Sequence, residues 1–556
     1  MDNFPNTQDE TIFGGHIHTA ELSLSLCSGA GRISCACVSH QGKRDVQEDS
    51  CGISEIPDDG RAERFTAVVA DGMGGLPAGA GASGHAVREL LAADFGAAGG
   101  SITERLCGAF RNVSAQIAAN GSGGGTTLAA LVCVPEGVYY CSAGDSRIYL
   151  QRNGVLTQLT EDGDHFGELL DKVAAGTMTY EQAAADPEKD SLSQYIGSGA
   201  YIQPDCSLIP FQPQEGDRIM LCSDGVYNAL SGDELMQSLC LSARGAAEDI
   251  LGRILARGYS NQDNFTAVVL EFRAGEVCGE ERSFGDNTAA LTAEVSCCSA
   301  VGGCAENQDS VYSSEGIYAV ADGLGGISGG AQASARAIRS LTELADRSIP
   351  PEQINGLLER LNTDVRSLGG GMSTIAAGFY GGGSFRWGSV GDSRVYYFRR
   401  GSVIMQSHDD SVCGNAVDSG RLNAEQIRSS SERNGLLKAL GGEERLNLDR
   451  RCEPIEVQEG DAFLICSDGF WEYVHEREME ADLLKSSSSR EWLRHMVRRH
   501  LLRSHDSGDN YSAVCGIFTA APEQGGNTEK RRRLMRWLIP AICAVVVILL
   551  AYFLFK

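Results

Sequence analysis

Short apolar runs that break off at Asp-Gly recur along the chain. FTAVVADG ends on Asp71, RIMLCSDG on Asp224, IYAVADG on Asp322 and FLICSDG on Asp468. A β-branched run bounded by a turn pair reads as a strand buried on both faces, here with an aspartate at its C-terminal tip. Between these runs, AGASGHAVRELLAADF has the spacing of an amphipathic helix. GVYYCSAGDSRIYLQRNGVLTQLT reads as strands joined by an Asn-Gly hairpin, and YYFRRGSVIMQ repeats it with another turn. Antiparallel strands mixed with several helices predict an α+β fold built as a layered sandwich.

The pattern occurs twice. VADGMGG, GGTTLAA, GDSR, LCSDGVYNAL and DNFTAVVL return in the same order as VADGLGG, GMSTIAA, GDSR, ICSDGFWEYV and DNYSAVCGIF. The pairs Asp71/Asp322, Asp145/Asp392, Asp224/Asp468 and Asp263/Asp509 lie 244 to 251 residues apart. An ordered set at near-constant offset indicates internal duplication. A chain of 556 residues also exceeds one ordinary core. We therefore expect a poorly ordered N-terminus at 1–29, one domain at 30–274, a joint at 275–290, a second domain at 291–520 and a basic linker at 521–533. A membrane-spanning tail follows at 534–556.

That tail rests on WLIPAICAVVVILLAYFLF, Trp537 to Phe555, an uncharged apolar run of 19 residues. At about 1.5 Å per helical residue it matches the ~30 Å hydrocarbon core of a bilayer. Lys530, Arg531, Arg532, Arg533 and Arg536 precede it and only Lys556 follows. The excess of positive charge on one flank places both domains on the cytoplasmic side of a single-pass anchor.

Composition narrows the functional classes. A formal net charge of −27 without Lys/Arg clusters in the soluble part argues against nucleic-acid binding. The 19 cysteines include no C-x-x-C pair and many fall inside apolar runs, so they are expected to be reduced, buried thiols. The Gly-rich loops lack the Walker form, which sets nucleotide binding aside. The ten histidines show no ligand spacing, and His85 and His165 read as ordinary helix or surface residues. Arg147 and Arg394 of the GDSR strings read as structural ion-pair partners, and Trp471 as core. GGTT and GMST read either as strand starts or as close contacts to the site.

What remains is carboxylates at strand ends. If Asp49, Asp71, Asp224 and Asp263 meet, four negative charges within a few ångströms repel unless divalent cations compensate them, and two such cations balance four charges. All-oxygen ligation favours Mg²⁺ or Mn²⁺. The implied chemistry is metal-assisted hydrolysis.

These ordered strings resemble two copies of the PPM-type (type 2C) metal-dependent Ser/Thr protein phosphatase domain. The resemblance implies two tandem four-layer α/β/β/α sandwiches, each active domain binding two Mn²⁺ or Mg²⁺ ions and a weaker third. It implies that GKRDVQEDS supplies Arg44 for the substrate phosphate and Glu48 and Asp49 near the metals. Asp71 would bridge the ions, the Gly72 carbonyl would join one, Asp224 and Asp263 would complete the other, and Asp145 would share the third with Asp224. The implied activity is hydrolysis of phosphoserine and phosphothreonine in proteins by a metal-bridging water, the substrates being those of a Ser/Thr kinase at the same membrane. The residues at 162–197 resemble the mobile flap that borders the cleft in bacterial members. Met73 and Leu324 stand where some members carry a histidine. The second copy keeps Asp309, Asp322, Gly323, Asp392, Asp468 and Asp509 but has Cys304 for Arg44 and Gln308 for Glu48. Loss of a charge-assisted arginine–phosphate pair, worth about 1.5–3 kcal/mol, predicts a weak or regulatory second domain. The alternative is a membrane-tethered metal-binding pseudophosphatase that senses or scaffolds phosphoproteins.

Overall fold

The computed structural model describes residues 8–12, 15–24, 30–55, 61–62, 64–73, 78–95, 100–121, 123–274, 291–324, 329–448 and 452–520. In the first half two sheets pack face to face. One runs Gln8–Ile12, Gly15–Leu24, Ala30–His40, Phe265–Ala274, Arg218–Cys222, Arg147–Arg152, Val155–Gln158; the other runs Asp205–Cys206, Gly137–Ala143, Leu128–Val134, Phe65–Ala70, Ser50–Ile53.

The apolar runs are continuous because both faces of each strand are covered. All six residues of Phe65–Ala70 are buried. Ala67 and Val69 point into the core between the sheets with Leu131, Ile219 and Val268. Val68 and Ala70 turn the other way, onto the helices Ala78–Ala92 and Ile102–Ala119 through Ala86, Leu90 and Phe110. On the far side, Met220 and Val269 pack on Ala246 and Ile250 of the helix Ala243–Arg257. These layers are α/β/β/α, the fold expected.

Residues 291–520 show the same order. One sheet runs Leu291–Ala300, Tyr511–Ala520, Ala462–Cys466, Arg394–Arg399, Ser402–Gln406; the other runs Ser310–Ser314, Ile317–Ala321, Ile375–Gly381, Ser384–Val390, Ile455–Glu456. Val320, Ala376, Val395, Ile465 and Val514 fill the space between them. The helices Gly330–Leu344 and Pro351–Arg366 cover one outer face, and Glu476–Leu484 with Ser489–Ser504 the other.

Three expectations need correction. The N-terminal segment carries strands at Gln8–Ile12 and Gly15–Leu24, the latter paired along Ala30–His40. Its apolar residues change parity between Ile17 and Leu22, so no period-two signal marks it, and backbone bonding to an open sheet edge supplies the order. Not every cysteine is a thiol: Cys141 and Cys206 face each other across neighbouring strands and are joined as a disulfide. Finally, the segment expected to be a mobile flap is docked. Leu169, Leu170 and Val173 of the helix His165–Ala174 enter the apolar core of the second half, beside Trp492, Met496 and Val497.

Polar contacts reinforce that docking. Glu161 meets Arg498 at 2.9 Å and Lys485 at 3.5 Å, and also pairs with His495. Asp205 meets Lys485 at 3.3 Å. The amides of Leu208 and Ile209 donate to the Leu484 carbonyl at 2.8 and 3.1 Å.

Among the described residues no helix is long and apolar enough to cross a membrane. The run Trp537 to Phe555 lies outside the described residues.

Candidate active site

Five strand ends and turns of the first half bring carboxylates together beside Arg44. Asp71 ends Phe65–Ala70, Asp224 follows Arg218–Cys222, Asp145 sits in the turn after Gly137–Ala143, and Asp263 precedes Phe265–Ala274. Asp49 lies just before Ser50–Ile53. Burial first, then the charges of Asp49, Asp224, Asp145 and Asp263, push the Asp71 carboxyl up to about 10. Burial likewise raises Asp49 to about 7, although hydrogen bonds from Ser223 and Thr266 oppose it. Asp145 rises to about 6 through burial and the Asp224 charge, and Asp224 is raised through burial and Asp263. The charges of Asp49, Asp224, Asp145 and Asp263 all bear on Asp71. Such a cluster holds its full negative charge only when cations neutralise it.

The orphaned oxygens agree. Glu48 Oε1, Asp49 Oδ1 and Asp224 Oδ1 are buried without a hydrogen-bond partner in the protein. Buried carboxylate oxygens seldom stay unpaired, so these fit divalent cations. Backbone crowding shapes the same corner: a Cβ on Gly79 would stand 2.3 Å from Glu48 Oε1, and one on Gly72 would stand 2.4 Å from the Gly79 carbonyl oxygen. Glycine at both positions lets the Asp71–Gly72 turn and the helix start close over Glu48. Arg44 Nη2 donates to Asp263 Oδ2 at 2.6 Å, with the Arg44 side chain 60% exposed.

The polar residues that position these carboxylates were the part sequence reasoning left open or missed. Thr127 Oγ1 accepts from the Asp71 amide at 2.9 Å, and Thr126 Oγ1 donates to the Asp71 carbonyl at 2.8 Å. Thr127 in turn meets Ser146 Oγ of GDSR at 2.6 Å. GGTT therefore clamps the backbone of Asp71 rather than merely starting a strand. Ser223 Oγ donates to Asp49 Oδ2 at 2.7 Å. Asn264, unremarked in DNFT, accepts from the Glu48 amide at 2.8 Å and donates to the carbonyls of Gln41 and Val46. The signal was available: each of these polar residues has a counterpart in the second copy, with Ser373 standing for Thr126.

Arg147 binds Asp162 at 2.6 Å and lies 3.6 Å over the Tyr227 ring, whose hydroxyl donates to the Asp145 carbonyl at 3.0 Å. Arg394 binds Asp409 at 2.7 Å and lies 3.5 Å over Trp471, whose indole N–H donates to the Asp392 carbonyl at 2.9 Å. Both arginines are structural partners, as expected, and Trp471 is buried.

The second half repeats the arrangement. Thr374 accepts from the Asp322 amide at 3.0 Å, Ser467 donates to Asp309 at 3.0 Å, and Asn510 accepts from the Gln308 amide at 2.8 Å. Asp322, Asp392 and Asp468 bring carboxylate oxygens within 4.8 Å of one another. Burial and neighbouring carboxylates push Asp322 and Asp468 well above the usual range; burial and Asp409 take Asp392 to about 7. Asp309 is raised to about 6, chiefly by burial. Gly323 packs against the Gln308 carbonyl as Gly72 does against that of Glu48. Asp509 accepts from the thiol of Cys304 at 3.2 Å.

Comparison with known proteins gives this site its family. The protein phosphatase 2C family model matches residues 38–257. A serine/threonine phosphatase of Listeria welshimeri is 33% identical over 245 residues, 41% of this chain and 91% of that protein. The phosphatase PstP of Mycobacterium tuberculosis is 32% identical over 209 residues, 36% of this chain and 39% of that protein. Among solved structures, the PstP catalytic domain in complex with two manganese ions is 26% identical, with a TM-score of 0.36 over 41% of this chain and 100% of that one. The chain belongs to the protein phosphatase 2C family. It is an enzyme of that family, a phosphoprotein phosphatase.

Proposed function

We propose that the chain hydrolyses phosphoserine and phosphothreonine in proteins, with the site in residues 30–274 as main catalyst and its counterpart in 291–520 weak or regulatory. One observation carries this reading. Arg44 is held 2.6 Å from Asp263 at the edge of a carboxylate nest whose buried oxygens on Glu48, Asp49 and Asp224 lack partners.

Two Mn²⁺ or Mg²⁺ ions suit that nest, held by Asp49, Asp71, Asp224 and Asp263 with Glu48 and the Gly72 carbonyl close by; Asp145 with Asp224 suits a weaker third. When bound, such ions polarise a phosphoryl oxygen and make water reactive near neutral pH. The chain's own residues bind and orient. Arg44, largely exposed, offers its guanidinium to two equatorial phosphate oxygens and offsets the charge they gather in the transition state. Thr126 and Thr127 fix Asp71, and Ser223 fixes Asp49, so the acidic array is organised before substrate arrives. Met73 offers no proton to the leaving serine or threonine oxygen, and water supplies it.

The two halves are read as a duplication with boundaries at 30–274 and 291–520 and a joint at 275–290. The apolar tail at 534–556, preceded by the basic stretch at 521–533, is read as a membrane anchor that leaves both halves in the cytoplasm, near phosphoproteins made by a kinase at the same membrane. Cys304 and Gln308, in place of Arg44 and Glu48, favour the non-catalytic reading for the second half. Hydrolysis of a phosphothreonine peptide by the full chain in Mn²⁺ tests the proposal: EDTA and Asp224→Asn should each abolish it.

A further inference from the structure

We propose that the acidic site of residues 291–520 is an effector site, at which a divalent cation held by Asp322, Asp392 and Asp468 orders the segment 162–197 of the first half and so tunes the first site toward phosphopeptides. This rests on the reading above that both acidic sites hold cations and that the second half is regulatory, and adds the effector, the route and the output.

The first observation is a built cation site that lacks the phosphate-binding arginine. Asp322, Asp392 and Asp468 place carboxylate oxygens within 4.8 Å of one another and line one cavity of about 460 Å³. Asp392 is 4% exposed, and its Oδ1 has no hydrogen-bond partner in the protein. A buried carboxylate oxygen left unpaired beside two further carboxylates suits a cation. With Cys304 where Arg44 stands, occupancy of this site brings no matching grip on phosphate.

The second is what Asp468 is joined to. It opens the short helix Asp468–Trp471, and Phe470 and Trp471 share one apolar core with Leu169, Leu170 and Val173 of the first half. The Gly469 carbonyl accepts from Nε2 of buried His500 at 2.9 Å. His500 and Arg498 lie on one helix, Ser489–Ser504, and Arg498 binds Asp171 at 2.7 Å and Glu161 at 2.9 Å. Past the end of that helix His505, in the turn that leads into Asp509, stacks on Tyr180 with ring centroids 5.0 Å apart.

The third is where the segment ends. Gly163 donates its amide to the carbonyl of Gly144, the neighbour of Asp145, at 2.8 Å. Ile196 and Thr126 exchange amide-to-carbonyl bonds at 2.9 and 3.0 Å, and Thr126 Oγ1 holds the Asp71 carbonyl at 2.8 Å. One segment thus rests on the second half along its length and is tied to the first acidic nest at both ends.

The connection belongs to the second half alone. With the helices aligned on Asp263 and Asp509, Gly252 and Ile254 of Ala243–Arg257 stand where Arg498 and His500 do. Ile254 packs into its own core, and the Gly225 carbonyl, counterpart of that of Gly469, accepts instead from Gln262 at 3.1 Å. Without an ion, repulsion among Asp322, Asp392 and Asp468 works against their closeness and loosens the helix that Asp468 opens. Drawn onto one cation, the three fix that helix, the Gly469–His500 bond and the apolar surface under Leu169 and Leu170. A ligand that favours the ordered arrangement in this way shifts the segment toward it.

The test is Mn²⁺-dependent hydrogen exchange in the full chain carrying Asp224→Asn, which weakens the first acidic site, with cation binding followed by calorimetry. Mn²⁺ should slow exchange of 165–184 at least about fivefold, the low end of couplings between linked sites. Adding Asp468→Asn should remove both the slowing and one binding event. Adding Arg498→Ala instead, which leaves the carboxylates untouched, should keep the binding event and remove the slowing. In the chain with Asp224 restored, Asp468→Asn should raise KM for a phosphothreonine peptide at least about fivefold by the same coupling. Binding at the second half with exchange or KM unaffected, or slowing that survives Arg498→Ala, overturns the effector role and leaves the cation reading in place. Absence of any binding event that depends on Asp468 overturns both. Exchange does not depend on hydrolysis, so a chain that responds to Mn²⁺ in exchange yet hydrolyses no phosphopeptide contradicts the catalytic reading alone.

Discussion

Arg498 donates to both oxygens of Asp171, at 2.8 and 2.7 Å, and so ties the helix Ser489–Ser504 of the second half to the flap-like helix of the first. The same guanidinium reaches Glu161 at 2.9 Å. Asp171 is 37% exposed and Arg498 15%, so solvent screens the pair and its loss costs on the order of 1 kcal/mol at the contact. Arg498→Ala should therefore free the segment 165–184. Hydrogen exchange there should quicken, and KM for a phosphopeptide should rise a few-fold while turnover of p-nitrophenyl phosphate, too small to touch the flap, changes little.

Thr127 holds the Asp71 amide and Ser146 together, so Thr127→Val keeps the volume and deletes two hydrogen bonds. At about 0.5–1.5 kcal/mol each, that loss should weaken Mn²⁺ binding to the first half by on the order of tenfold. Calorimetric titration measures it, and an unchanged affinity would separate the clamp from the metal site.

Proton binding competes with metal binding in this nest. Asp49 and Asp145 have folded-state values of about 7 and about 6, both raised above the ordinary 3.8. A raised carboxyl stabilises the metal-free fold fully below its unfolded value, and that stability is lost as pH rises through the folded value. In EDTA the melting temperature should fall between about pH 4 and pH 7 from this source. The increment produced by Mn²⁺ should accordingly grow across the same window; an increment independent of pH would contradict the assignment.

Arg44 and Cys304 occupy matching places, and exchange of their chemistry should be visible in kinetics. Arg44→Ala should raise KM for a phosphopeptide by roughly ten- to a hundredfold, the equivalent of one charge-assisted hydrogen bond or pair. Cys304→Arg should give measurable hydrolysis in a chain whose first site is silenced by Asp224→Asn. Absence of any gain would mean that the second half lacks more than its arginine.

Much of this site was legible from residues alone because the acidic positions fall at strand ends, where apolar runs stop abruptly, and because they recur. Asp71 and Asp224 announced themselves in that way, and Asp263 by recurring at the head of a matching apolar run. The polar supports were harder to see: Thr127, Ser223 and Asn264 look like turn or strand-start residues, and only their partners across more than fifty residues of chain give them meaning. Two-sided burial made the strands plain and hid their register. How the halves meet was invisible in the sequence, since nothing about Leu169, Leu170, Val173 or Glu161 names a partner. Their partners, Lys485, His495 and Arg498, lie more than three hundred residues away. The strand Gly15–Leu24 was missed because backbone pairing, rather than side-chain alternation, orders it.

The central claim is that carboxylates gathered from distant parts of the first half bind divalent ions and thereby activate water against phosphoproteins. Its most direct test is the rate of phosphothreonine-peptide hydrolysis by the full chain in Mn²⁺, compared with the same chain in EDTA and with Asp224→Asn. We predict a fall of at least about a thousandfold in both, as removal of a metal or its ligand implies for chemistry that depends on it. Hydrolysis persisting within tenfold of the native rate in either case would contradict the account.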